Sequence, residues 1–129
     1  QGAEFCVFGD IDIEGHIKWC TDVCNDAGIK AYFPLLYENR KKIVYDFINL
    51  GFKSMITTVD NSRLDDKFLG KVLSMEVVDE IEKNGADVCG ENGEYHTFTY
   101  DGPLFSNPVA FSVGEIIHFE KYSILPIKN

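Results

Sequence analysis

Hydrophobic positions follow two different periods along the first third of the chain. An apolar run at 5–8 ends at Gly9, as expected for a strand that is buried on both faces. Apolar residues then recur every three or four positions over 15–27, which indicates an amphipathic helix that stops at Gly28. Residues 29–33 return to an extended pattern. This order predicts two parallel strands joined by a crossover helix, a βαβ unit.

A second helix and strand follow, and the last third changes character. An apolar stripe at 43–48 predicts a helix that ends at Gly51, and 53–59 is rich in strand-forming residues. Ser74 is a suitable N-cap for a helix that stops near Asn84. Glycine, proline and aromatic residues become frequent afterwards, which favours antiparallel strands. The strand candidates there are 95–100, 109–113 and 116–125.

The expected fold class is therefore α/β. The predicted core residues are Val7, Ile17, Val23, Phe47, Ile48, Ile56 and Ile81.

Composition narrows the class of protein. The 129 residues are 45% hydrophobic and 26% charged, which is typical of a folded domain. Twelve basic against 21 acidic residues leave a net charge of −9, which repels phosphate backbones, so duplex nucleic acid is not an expected partner. No apolar run approaches the roughly 20 residues that span a bilayer, and the first residues lack the basic stretch of a secretion signal. We therefore expect a cytoplasmic protein that does not enter a membrane.

Three potential metal ligands share one face of the first helix. His16, Cys20 and Cys24 are each four residues apart, and a face with three such ligands could begin a zinc site. The same face also carries apolar residues, and unreactive buried cysteine is common in cores. Core thiols are the favoured interpretation, so we expect no metal.

The densest group of chemically capable residues lies at 89–97. Gly90 and Gly93 allow positive φ angles or close approach to a ligand, and two carboxylates and an imidazole come from Glu91, Glu94 and His96. A solvated hairpin loop explains the same composition about as well. Both interpretations stay open on the residues alone.

The segment 90–97, Gly-Glu-Asn-Gly-Glu-Tyr-His-Thr, and the Asp-Gly-Pro-Leu-Phe at 101–105 resemble the signature of the diphthine ammonia ligase family of ATP pyrophosphatases. The resemblance continues upstream through 64–71 to 9–11, in family order. It implies a HUP-type parallel-sheet domain that binds ATP and magnesium, followed by a smaller α+β substrate domain. The implied reaction is adenylation of a small-molecule or protein-side-chain carboxylate with release of pyrophosphate, then attack by ammonia to give an amide.

The resemblance also implies roles for individual positions, in three groups. The catalytic positions are Glu91, Glu94 and His96, the nucleotide-binding positions are Gly9, Asp10 and Ile11, and the substrate-binding positions are Asp65, Lys67, Gly70, Lys71, Gly90, Gly93 and Thr97. A helix cap or a plain turn is an alternative for Asp10, and a solvated loop is an alternative for the two lysines.

Two departures from the family pattern limit these roles. The family's phosphate-binding loop, of the type Ser-Gly-Gly-Lys-Asp-Ser, does not occur in the 129 residues. Tyr95-His96 replaces a typical Phe-Glu, and Asn92 replaces a typical glycine, so the substrate need not be diphthine. We expect residues 1–36 to be the remainder of the nucleotide domain and 37–129 to be the substrate domain, without activity or a bound cofactor in isolation. The alternative is a non-catalytic ligand-binding module, or one subunit of a split enzyme whose exposed sheet edge meets a partner chain or a second copy.

Overall fold

The computed structural model describes residues 2–128 and has a mixed α/β architecture. The helices are α1 Glu14–Asp26, α2 Arg40–Asn49 and α3 Met75–Lys83. The strands are β1 Phe5–Val7, β2 Lys30–Tyr32, β3 Lys53–Asp60, β4 Tyr95–Asp101, β5 Ser112–Val113, β6 Ile117–His118, β7 Tyr122–Ile124 and β8 Ile127–Lys128. The chain divides into two compact units between Ile43 and Val44. No helix among the described residues is long and apolar enough to cross a membrane.

The first unit contains the predicted βαβ arrangement. β1 and β2 pair in parallel, with Phe5 opposite Lys30 and Val7 opposite Tyr32, and α1 connects them. This pairing confirms the prediction for residues 5–33. It is the single parallel pairing among the described strands, so the parallel sheet seen here has two strands.

Two core predictions in the first unit are wrong. Val7 and Val23 are 64% and 44% exposed, and β1 is not buried on both faces. Side chains alternate along a strand, and the Cys6 side of β1 is the one that meets α1, through the thiol of Cys24. The opposite side of this two-stranded sheet, which carries Val7 and Tyr32, is exposed.

The second unit is built on an antiparallel sheet, as expected. Its strand order is β4-β3-β7-β6, and β5 pairs separately with β8. The predicted strand at 116–125 is interrupted, because a tight turn in which the Phe119 amide donates to the Tyr122 carbonyl separates β6 from β7. The predicted strand at 109–113 is also reduced to its last two residues.

The core of the second unit lies between this sheet and α3. Five of its side chains are fully buried: Ile56, Val59, Phe68, Val78 and Ile81. Of the predicted core residues, Phe47 and Ile48 in this unit are partly buried, as is Ile17 in the first unit. Ser74 caps α3 as predicted, with its hydroxyl accepting from the Val77 amide. The short 3-10 turn Asp66–Phe68 carries Phe68 into the core.

Candidate functional site

The loop that precedes β4, residues 87–94, is organised around the carboxylate of Glu94. This side chain is only 3% exposed. One of its oxygens accepts from the backbone N–H of Asn92 at 3.1 Å, and the other accepts from the Asn92 amide at 3.2 Å and the Asp87 N–H at 3.4 Å. The guanidinium of Arg63 lies 3.4 Å away. The loop therefore encloses a paired, hydrogen-bonded carboxylate, which is the condition under which burial of a charge is tolerated.

Asp87 holds the opposite side of the same loop. Its carboxylate accepts from the Glu91 N–H at 2.9 Å, and its carbonyl accepts from the Gly90 N–H at 3.0 Å. The Gly93 N–H then donates to the Gly90 carbonyl at 2.9 Å. Two carboxylates thus fix the backbone of 90–93 from both ends, which makes the segment an ordered loop.

Hydrogen bonding keeps Glu94 ionised. Burial alone raises the pKa of this carboxyl, but hydrogen bonds from its own backbone, from Asn92 and from Asp87 outweigh burial and hold the pKa below its ordinary value. At neutral pH the group is therefore a hydrogen-bond acceptor for the loop. A general acid would need the opposite shift.

Gly90 has the positive φ angle, +68°, that the sequence analysis anticipated. A Cβ added there would lie 2.9 Å from the Tyr95 carbonyl oxygen, which belongs to the backbone and cannot yield easily. We expect Gly90→Ala to lower the free energy of unfolding by about 2 kcal/mol, measured by urea denaturation. Gly85→Ala is the matched control, because Gly85 has a similar φ of +78° but open space around it. Equal losses in the two variants would contradict a steric role for the Tyr95 contact.

The residues that follow Glu94 at the start of β4 differ in burial. Tyr95 is buried, and its hydroxyl donates to the Val88 carbonyl, so it anchors the loop to the core. His96 and Thr97, opposite Thr58 and Ile56, are exposed. The structure thus directs Glu94 into the loop and leaves the imidazole of His96 on the surface. Their joint action on one substrate stays a prediction.

Lys67 and Lys71 form an ordered group and are not a loosely solvated pair. Both ammonium groups contact the carboxylate of Glu80 on α3, at 3.5 and 2.8 Å. Both also lie over the ring of Phe68, at 5.4 and 4.7 Å from its centroid. The hydrogen bond from Lys71 is the main reason that the pKa of Glu80 is lowered. Two ammonium groups share one carboxylate here, so Glu80 alone does not neutralise both, and the pair can contact a carboxylate or phosphate ligand.

The other two predicted substrate positions in this region, Asp65 and Gly70, fix the backbone next to the lysines. Asp65 accepts from the Lys67 N–H at 2.8 Å and caps the 3-10 turn. Gly70 has a φ of +79°, and its N–H donates to the Ile56 carbonyl at 2.9 Å. Asp65 and Gly70 therefore fix the backbone from which Lys67 and Lys71 reach Glu80 and the ring of Phe68.

The predicted nucleotide positions lie in the first unit, just after β1. Ile11 is buried, and its carbonyl accepts from the Tyr37 N–H at 2.8 Å. The carboxylate of Asp10 lies 3.5 Å from His16 Nδ1 and 3.8 Å from the sulfur of Cys20. The alternative that Asp10 caps α1 is wrong, because the N-cap residue is Ile13 and no side chain caps it. Gly9 is exposed with open space around it.

The thiols of α1 are unreactive in character. Burial raises the pKa of both Cys20 and Cys24, and both lie in the core of the first unit. No group of three or more His, Cys, Asp or Glu side chains among residues 2–128 has the geometry to hold a metal ion.

One cleft of the second unit was largely missed by sequence reasoning. It has a volume of about 260 Å³, and of its lining residues only Asp65 was predicted. The lining residues are Asn61, Leu64, Asp65, Asp66, His118 and Ser123. His118 reaches it because β6 pairs with β7 in the register that puts His118 opposite Ser123. That register depends on a turn at 119–121 that the apolar pattern did not reveal.

Comparisons with known proteins agree with the resemblance found in the sequence. Residues 39–129 match the family model of the diphthamide synthase C-terminal domain. Relatives named diphthine–ammonia ligase are 33% identical over 110 residues in Homo sapiens, 34% over 110 in Danio rerio and 28% over 111 in Schizosaccharomyces pombe. These alignments cover 82%, 82% and 83% of this chain but 41%, 43% and 18% of the relatives, so the chain spans less than half of their length. The matched region includes the ordered loop 87–94, the two lysines and the cleft, and the chain belongs to the diphthamide synthase C-terminal domain family.

Proposed function

We propose that this chain is the C-terminal, substrate-domain-bearing portion of an ATP-dependent ligase that converts a carboxylate into an amide. The observation that carries the proposal is the family match over residues 39–129, which includes the loop held by Asp87 and Glu94. Relatives of this chain are named for a ligation that uses ammonia. In the proposed reaction, a carboxylate oxygen attacks the α-phosphate of ATP and pyrophosphate leaves. Ammonia then displaces AMP from the acyl carbon.

The proposal assigns residues 1–36 to the remainder of a HUP-type nucleotide domain and 37–129 to the substrate domain of a cytoplasmic enzyme. Gly9, Asp10 and Ile11 follow a parallel strand, the usual ligand edge of such a sheet. A carboxylate such as Asp10 suits the hydroxyls of a ribose but repels a triphosphate. Asp10 therefore suits the ribose of ATP, while the family's phosphate-binding loop, which would hold the triphosphate, does not occur in the 129 residues.

In the substrate domain, Lys67 and Lys71 would bind the acceptor carboxylate or the phosphate of the adenylate. Gly90, Gly93 and Glu91 would line the approach to the acyl carbon, with His96 and Thr97 beside them on β4. Glu94 would act through the backbone that it holds, since its oxygens already accept hydrogen bonds from the loop.

The first test concerns the isolated chain. We expect no exchange of label between pyrophosphate and ATP, because no backbone cradle or lysine of a phosphate-binding loop organises the departing group. The measurement uses rigorously purified chain, with the complete enzyme that carries it as the positive control. An exchange activity that co-purifies with the isolated chain through successive columns would contradict this expectation. It would show that another segment replaces the phosphate-binding loop.

The second test uses the complete enzyme. We expect Glu91→Ala to reduce substrate-dependent pyrophosphate release by about 100-fold, the usual scale for loss of a positioned acid or base. Glu82→Ala, on the exposed side of α3, is the matched control and should keep normal turnover. Near-normal turnover and substrate affinity of a folded Glu91→Ala variant would make the loop ordinary scaffolding.

A split enzyme is the second candidate, and an exposed apolar surface favours it. Phe5, Val7 and Tyr32 are exposed on one side of the β1–β2 sheet, although parallel sheets are normally covered on both faces. A partner chain or a second copy that covers this side could complete the nucleotide domain. A binding module without catalysis would instead bind a carboxylate ligand and leave ATP unchanged.

A further inference from the structure

The cleft that sequence reasoning missed contains an imidazole whose tautomer is set by a chain of hydrogen bonds. The chain begins at Asn61, whose side-chain N–H₂ donates to the Phe119 carbonyl at 3.2 Å. That bond fixes the orientation of the amide, so its oxygen accepts from the Ser123 hydroxyl at 2.8 Å. The single proton of the Ser123 hydroxyl is thereby used.

The Ser123 oxygen then accepts from the imidazole. His118 Nδ1 lies 2.9 Å from it, and because Ser123 has no second proton to donate, Nδ1 must carry the hydrogen. In the neutral ring, Nε2 therefore has the free lone pair of a base. Ser123 is 1% exposed, while the His118 side chain is 60% exposed, so the buried serine orients an accessible ring.

Carboxylates lie close to the ring. The carboxylate of Asp66 lies 3.8 Å from His118 Nδ1. Asp65 lines the same cleft. The ammonium groups of Lys121 and Lys67 contact the carboxylates of Asp60 and Glu80, at 3.7 and 3.5 Å. The cleft thus offers carboxylates and a base to a ligand with acidic N–H groups.

We propose that this cleft is the nitrogen-donor site, where ammonium binds between Asp65, Asp66 and His118 and is deprotonated by His118. The inference rests on the proposed ligase function. Ammonia exists at neutral pH mainly as ammonium, which has no lone pair and cannot attack a carbonyl until it loses a proton. A volume of about 260 Å³ exceeds what ammonium needs.

The proposed step forms a C–N bond and breaks a C–O bond. Ammonium transfers one proton to Nε2 of His118, and the ammonia lone pair forms the C–N bond at the acyl carbon of the adenylate. The bond between that carbon and the phosphate oxygen breaks, and its electron pair leaves with AMP. A second proton passes from the attacking nitrogen to solvent, which leaves the neutral amide.

The test compares two nucleophiles in the complete enzyme. Hydroxylamine is largely unprotonated at neutral pH and needs no base to expose its lone pair. We expect His118→Asn to lower kcat/KM for ammonium about 100-fold, the scale of lost general-base catalysis, and to leave kcat/KM for hydroxylamine within about twofold. Ser123→Ala should show the same split more weakly, because the imidazole loses the partner that fixes its tautomer. Glu120→Gln, in the turn between β6 and β7, is the control for disturbance of the turn and should change neither value.

Pyrophosphate exchange without any nitrogen donor separates this inference from the proposed function. Normal exchange in His118→Asn, together with the split between nucleophiles, supports the nitrogen-donor site. Equal losses for both nucleophiles, or none for ammonium, overturn it while the ligase function stands. Absence of exchange in the unmodified complete enzyme overturns the ligase function and the inference with it.

Discussion

Replacing Glu94 by alanine should destabilise the protein by about 3 kcal/mol and release the loop 87–94. The variant leaves the N–H groups of Asp87 and Asn92 without their acceptor, and unsatisfied buried donors cost about 1–3 kcal/mol each. It also removes the anion that pairs with Arg63. Urea denaturation measures the loss of stability, and hydrogen exchange at the amides of 90–93 reports the local opening.

Two further variants separate the charge of Glu94 from its shape. Glu94→Gln keeps one acceptor oxygen and should lose about half as much stability as Glu94→Ala. Glu120→Ala removes an exposed carboxylate and should stay within about 0.5 kcal/mol of the unmodified protein. If Glu94→Ala also stays within that range, the carboxylate does not organise the loop.

The stability that Glu94 contributes depends on pH, in the direction set by its lowered pKa. Because the pKa of Glu94 is lower in the folded protein than in the unfolded chain, its ionised form contributes stability at pH values above about 4.3, the unfolded value. That contribution is lost as the pH falls through the folded pKa. The difference in unfolding free energy between the unmodified protein and Glu94→Gln should therefore narrow below about pH 4.3. A difference that stays constant to low pH would contradict the ionised state assigned to Glu94.

Features set by neighbouring residues could be predicted from the sequence. The parallel pairing of β1 with β2 follows from a helix of suitable length between two short apolar runs. The cap of α3 at Ser74 and the positive φ of Gly90 are local as well. The cap and the glycine depend on chemistry within a few positions along the chain, and the pairing of β1 with β2 depends on the one helix between them.

Features that depend on strand register could not be predicted in this way. Glu94 was predicted as a catalytic residue, but whether it faces a ligand or its own loop depends on how β4 pairs with β3, where the register shifts between Ile56 and Thr58. The position of His118 beside Ser123 depends on the turn that divides the strand predicted at 116–125. The alternation of polar and apolar residues indicates neither the register shift in β3 nor the turn between β6 and β7.

The two lysines illustrate a different limit. Their spacing of four residues is visible in the sequence, but their common partner, Glu80, lies on a separate helix nine residues after Lys71. The role of Phe68 is not visible in the sequence either, since an apolar residue in a charged segment can be buried or exposed. The structure shows that Phe68 is 0% exposed and supports both ammonium groups.

Phe68→Ala should therefore lower the free energy of unfolding by more than a substitution in an exposed charged segment would. Truncation of a fully buried phenylalanine usually costs about 3–5 kcal/mol, and here the cavity would open among Ile56, Val59 and other core residues. The same change removes the surface over which Lys67 and Lys71 lie, so substrate affinity in the complete enzyme should fall in whatever fraction remains folded. Urea denaturation of the chain gives the stability, and the KM for the carboxylate gives the effect on the lysines.

Phe68→Leu distinguishes the two consequences. It keeps most of the apolar volume, so we expect a loss of only about 1–1.5 kcal/mol, but it lacks the aromatic face that attracts the ammonium groups. A raised KM in this folded variant, with pyrophosphate exchange at saturating substrate unchanged, would tie the lysines to substrate binding through the ring. A normal KM in Phe68→Leu would mean that Glu80 alone is sufficient to position Lys67 and Lys71, and that the ring serves the core only.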